Sequence, residues 1–146
     1  LVALTLPRLL DRVPDRRVML IGCVVVCAGL VTTTALFAAA PGGTNGWAAF
    51  AATWLAVGVG ASLIGTPSAR LLRYRSTPTD RAAVFAAQFS LSHACFLVTY
   101  LVAGWAGADA GLPIAAGTLT VLATLAALVA ARMWPVDTAV VTTGRT

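Results

Sequence analysis

Arg70-Leu-Leu-Arg-Tyr-Arg-Ser-Thr-Pro-Thr-Asp-Arg81 is the stretch on which the reading of this chain turns. No residue from Val18 to Ala69 is charged, and between Ala82 and Ala131 the only charged residue is Asp109. A helix rises about 1.5 Å per residue and a bilayer core is about 30 Å thick, so one crossing takes roughly 20 residues. Each apolar run is long enough for two crossings and too long for one. The basic stretch is therefore expected to be the hinge between two membrane hairpins, giving an all-α, polytopic membrane protein with four transmembrane helices.

Composition agrees. Of 146 residues, 59% are hydrophobic and 10% charged, where a soluble domain carries about 25% charged residues. A soluble helix bundle would need a charged outer face, and these helices have none. The net charge of +5 would raise the question of nucleic acid in a soluble chain. Here the basic residues, all of them Arg, sit between apolar runs, so the expected partner is the lipid bilayer and no nucleic acid. Cys23, Cys27 and Cys95 lie inside those runs, where thiols behave as small hydrophobes. Cys23 and Cys27 share a helix face but lack His or carboxylate neighbours, so no metal and no cofactor is expected.

Along the chain, the first residues to Leu6 read as the tail of an earlier helix, and a charged loop runs from Pro7 to Arg17. Asp15-Arg-Arg-Val-Met-Leu-Ile resembles a twin-arginine export signal, but the apolar run continues to about Ala40, beyond an h-region of about 7–15 residues. Helices are expected over about 17–40, 47–68, 78–105 and 113–134, with a polar tail over 135–146, so that residues 1–146 form a partial C-terminal transmembrane domain. Pro41-Gly-Gly-Thr-Asn-Gly46 breaks the first hairpin. Thr77 is expected to cap the third helix with Pro78 in its first position. On the second helix, Gly58, Ser62, Gly65 and Ala69 form a face of small residues that lets a neighbouring helix come close.

The arginines set the orientation. Arg8, Arg12, Arg16, Arg17, Arg70, Arg73, Arg75, Arg81, Arg132 and Arg145 all fall on one side of a four-helix serpentine. By the positive-inside rule that side is cytoplasmic, which places the C-terminus in the cytoplasm and the protein in the inner (plasma) membrane as a multi-pass protein.

The chain has no Gly-rich phosphate loop, no Ser/His/Asp set and no metal cluster, so it does not read as an enzyme. Two features are informative. In the third helix, Gln88, Ser92, Cys95 and Thr99 lie within about 60° of one another, a narrow polar stripe. His93, about 100° round from Ser92, lies near mid-span with Phe89, Phe96 and Tyr100 on its side, and an ionisable group at that depth is a candidate functional residue. Either it takes up a proton from a central cavity or it is a neutral residue hydrogen-bonding to a neighbouring helix.

The second feature is Leu9-Leu-Asp-Arg-Val-Pro-Asp-Arg-Arg17, which resembles the cytoplasmic loop motif of the major facilitator superfamily. There a glycine-bracketed Leu-x-Asp-Arg-x-Gly-Arg-Arg/Lys string joins two helices. Leu9, Asp11, Arg12 and Arg16 match, Pro7 and Pro14 replace the family's glycines, and Asp15 replaces a basic position. Thr66-Pro-Ser-Ala-Arg-Leu-Leu-Arg73 and Ala86-Ala-Gln-Phe-Ser-Leu-Ser-His-Ala-Cys95 are similar to the corresponding region of actinobacterial members. Four helices after the loop and a cytoplasmic C-terminus match helices nine to twelve of that twelve-helix transporter fold.

The resemblance implies a fragment of a secondary active transporter that moves a small-molecule substrate by alternating access, with proton-coupled export (efflux) as the specific expectation. Its further partner would be the missing N-terminal helices of the same transporter. It also implies a gating role for Asp11, Arg12 and Arg16 in the cytoplasmic loop, and a substrate or proton pathway past Gln88, Ser92, His93 and Thr99. In the family, helix eleven usually lies toward the periphery of the cavity, which favours the packing role for His93. The alternatives are a small four-helix membrane protein acting as a dimeric exporter, which the absence of any Glu disfavours, or a non-transport membrane subunit.

Overall fold

A computed structural model describes residues 13–133. All four of its elements are helices: α1 (Asp15–Ala39), α2 (Gly43–Arg75), α3 (Arg81–Ala110) and α4 (Leu112–Met133). Each is long and apolar enough to cross a membrane. With four such helices in succession, the chain is a multi-pass membrane protein.

Local chemistry explains the ends. Pro14 precedes α1 and Asp15 sits in its first turn, where a carboxylate favours the positive end of the helix dipole. Ala40 turns left-handed at φ 44°, its N–H closing on the Leu36 carbonyl at 2.9 Å, and Pro41 cannot continue the helix.

The second helix departs from expectation. It does not stop at Ser68 but runs on through Arg70, Arg73 and Arg75, so the first half of the basic stretch is helical. Its 33 residues extend about 50 Å against a core of about 30 Å, and the excess carries the arginines. Once a helix leaves the hydrocarbon, charge no longer opposes its continuation. Pro67 lies inside it, fully buried, where its missing N–H and ring are tolerated because the helix is held by its neighbour.

The third helix starts one turn later than Pro78. Thr77 still organises the start: its hydroxyl donates to Asp80 Oδ2 at 2.8 Å and accepts from the Asp80 N–H at 3.3 Å. Helical geometry then begins at Arg81. At its far end α3 runs on past Trp105 to Ala110, so Asp109 is helical rather than in a loop. A single residue, Gly111 at φ 87°, joins α3 to α4.

Spatial order differs from chain order. α1 packs against both α2 and α4, α4 packs against α1 and α3, and α2 barely touches α3. The helices form an open row, α2–α1–α4–α3, in which no residue of α3 is buried.

The tightest seam joins α1 to α2. On α2 the buried positions are Gly46, Thr53, Gly60 and Pro67, seven residues apart each time. On α1 they are Val18, Gly22, Gly29 and Thr33. A seven-residue repeat keeps one stripe facing the partner along a left-handed crossing. A side chain on Gly22 would stand 2.8 Å from the Gly60 carbonyl oxygen, and one on Gly60 would stand 3.0 Å from that of Gly22. Backbone approaches backbone there, the arrangement in which Cα–H···O contacts form. Gly58 and Gly65, expected to face a neighbour, are exposed with nothing within 4 Å of where a side chain would begin. The small-residue face that packs within the chain is the other one.

Candidate functional site

Two regions hold the residues that the sequence singles out, one on the outer face of α3 and one at the arginine-bearing end. On α3, Ser92 and Thr99 are half-buried, whereas Gln88 and His93 are exposed. Gln88 and Ser92 come together: the Ser92 hydroxyl donates to the Gln88 carbonyl at 2.8 Å, and Gln88 Nε2 reaches Ser92 Oγ at 3.5 Å. Thr99 turns back to the Phe96 carbonyl at 3.0 Å.

His93 stands apart from that pair. Its Nδ1 lies 2.8 Å from the Phe89 carbonyl oxygen, which only accepts, so the proton of that bond belongs to Nδ1 and Nε2 is left to interact outward. The ring stacks on Phe89 with centroids 3.9 Å apart and meets the Phe96 ring edge-on at 5.8 Å. Phe96 stacks in turn near Tyr100, at 6.1 Å. The result is an exposed aromatic ridge with one imidazole in it. Among the described residues, every hydrogen bond made by Gln88, Ser92, His93 and Thr99 stays within α3.

At the other region, the ends of α1, α2 and α4 are tied together. Asp15 Oδ1 accepts from Arg70 Nη2 at 2.7 Å, an ion pair in which both side chains are largely covered. Arg16 Nη2 donates to the carbonyl of Ala131 at 3.3 Å. That carbonyl lies in the last turn of α4, where helix carbonyls lack partners and cations are favoured. Arg16 thus clasps α1 to α4 at the same end where Asp15 clasps α1 to α2. Asp11 and Arg12 lie outside the described residues.

Sequence reasoning passed over two of these contacts. The sequence presents Asp15 as one more charge of the first loop, whereas its place in the first turn of α1 faces the arginines that end α2. The other is a polar link in mid-bundle, where Thr34 Oγ1 of α1 and Thr120 Oγ1 of α4 are 3.1 Å apart. Each hydroxyl also reaches a carbonyl of its own helix, Leu30 and Ala116 respectively. The run Thr32-Thr33-Thr34 inside an apolar span was the available signal.

Metal chemistry finds no support among the described residues: no group of three or more His, Cys, Asp or Glu side chains comes together. Cys23, Cys27 and Cys95 are free thiols. At the arginine-free end, exposed Trp47 and Trp105 sit near the end of α2 and of α3 that meets that surface, as in an aromatic belt.

These elements define a multi-pass membrane protein with one charged end. No family model, curated protein or solved structure matches the chain.

Proposed function

We propose that this chain is part of a secondary active transporter that moves a small solute by alternating access, as the resemblance of its first loop to the major facilitator superfamily implies. The observation that carries the reading is the outer face of α3. Gln88 and His93 are exposed on a helix apolar enough to span a membrane, with no partner from another helix among the described residues. Polar groups at that depth are costly against lipid and are ordinarily turned toward protein or a water-filled path. The open row of helices supports the same reading, because it leaves α3 a face for further helices. On this reading the arginine-bearing end is cytoplasmic in the plasma membrane, and the Asp15–Arg70 pair is one of the contacts that hold a conformation closed. Of the two roles open to His93, packing against a neighbouring helix or taking up a proton at Nε2, the export reading uses the second.

The test is reconstitution of the full-length protein in vesicles under an imposed proton gradient, with a fluorescent hydrophobic cation as the probe. Gradient-dependent movement of the probe is expected, with a lower rate in His93→Ala. Flux equal to that of protein-free vesicles would end the transport reading. An unchanged rate in the variant would return His93 to a packing role.

A second reading, a non-transport membrane subunit or a dimer, is favoured by the open Gly58 and Gly65 face. Cross-linking between cysteines placed at those two positions in neighbouring copies would support it.

A further inference from the structure

A cleft of about 720 Å³ opens at the arginine-bearing end between the last turns of α2 and the first turn of α3, lined by Ala69, Arg70, Arg73, Tyr74, Arg81 and Phe85. It exists because α2 and α3 barely touch, so the turn from Ser76 to Asp80 bridges two helices that leave a gap between them. Three guanidinium groups border that gap. Among the described residues, Asp15 pairs with one of them, Arg70, at 2.7 Å. Asp80, beside Arg81 in the chain, has its Oδ2 engaged by the Thr77 hydroxyl. With Asp15 counted, the described residues of the wall, Arg70, Arg73 and Arg81, still carry a surplus of positive charge. Arg81 Nε is buried and has no hydrogen-bond partner among the described residues, which is costly for a charged donor unless an acceptor arrives.

Depth identifies the acceptor. From Ala82 to Ala108 there is no charge, so Arg81 stands where α3 leaves the hydrocarbon, and Phe85 is one turn further in. A molecule filling the cleft meets guanidinium groups at headgroup level and an aromatic ring just below them. Exposed Tyr74 flanks the opening. That is the layout of an anionic phospholipid, phosphate outermost and acyl chain running down the helices.

We propose that the cleft holds the phosphate of an anionic phospholipid from the adjoining leaflet, with Arg73 and Arg81 as its ligands. The lipid then fills the wedge between α2 and α3 and completes a contact that the protein does not make by itself.

The test uses the full-length protein in neutral detergent, with phosphatidylglycerol and phosphatidylcholine as the probes and native mass spectrometry as the readout. Phosphatidylglycerol is expected to be retained in preference to phosphatidylcholine, with affinity falling about five-fold for each guanidinium removed in R73Q and R81Q. R132Q, at the same end but outside the cleft, keeps the preference. Arg73 is exposed and makes no side-chain hydrogen bond among the described residues, so R73Q does not depend on refolding of the helix ends. Three results would each overturn the proposal: equal retention of the two lipids, no loss of preference in R73Q, or displacement of the lipid by millimolar inorganic phosphate, which would mark a site for free anions.

Discussion

Gly22 of α1 and Gly60 of α2 face each other so closely that the carbonyl oxygen of each stands where the other's side chain would begin. Replacing either therefore pushes two backbones apart, whereas Gly65, on the open side of α2, has nothing to collide with. Gly60→Val is expected to cost about 1–3 kcal/mol, the usual range for overpacking. Gly65→Val is expected to leave the α1–α2 pairing unchanged. Thermal unfolding in detergent, read beside a disulfide cross-link engineered between α1 and α2, distinguishes the two variants. Equal loss in both would mean that the seam lies elsewhere.

Asp15 and Arg70 tie the start of α1 to the end of α2. Because Arg70 retains about a third of its exposure, part of the attraction is screened, and a double-mutant cycle with D15N and R70Q is expected to give a coupling of about 1 kcal/mol. The coupling should shrink as salt rises. Exchanging the two charges in D15R/R70D should restore part of it, and a cycle that closes at zero in low salt would show that the pair contributes nothing.

Thr34 and Thr120 bring their hydroxyls together between α1 and α4, 3.1 Å apart. Each hydroxyl has a carbonyl of its own helix to fall back on. Thr34→Val is accordingly expected to cost only about 0.6 kcal/mol, with Thr120→Val adding little more once the pair is broken. Losses several times larger in either single variant would point to a larger polar network.

The charged ends predict the topology. In otherwise cysteine-free protein, cysteines at Asn45 and Arg73 should label from opposite faces of the membrane with an impermeant maleimide. Labelling of both from one face would contradict a crossing by α2.

Much of this architecture was legible in the spacing of charges. Two long apolar runs flanking Arg70–Arg81, broken only by Asp109, are enough to count four spans, because the cost of burying arginine in lipid leaves few alternatives. Helix ends were less legible, since hydropathy locates the hydrocarbon and says little of where the backbone stops being helical. Arg73 and Arg75 extend α2 and Asp109 extends α3 for that reason. Which face packs within the chain was hard to single out because α2 carries small residues on two sides. The regular interval from Gly46 through Thr53 and Gly60 to Pro67 was present in the sequence, but Gly58 and Gly65 offered an equally plausible stripe. The Thr32-Thr33-Thr34 run marks a polar spot on α1, but nothing local names Thr120 as its partner, because the sequence does not say that α1 and α4 are neighbours. For His93, periodicity gave its side of the helix but not the backbone carbonyl it bonds.

Gly111 has one more consequence. A connector of one residue has no slack, so the ends of α3 and α4 that meet at it stay level with each other and the two helices cannot slide along their axes. Asp109, two residues from the bend, is the one carboxylate in the sequence at their common tip.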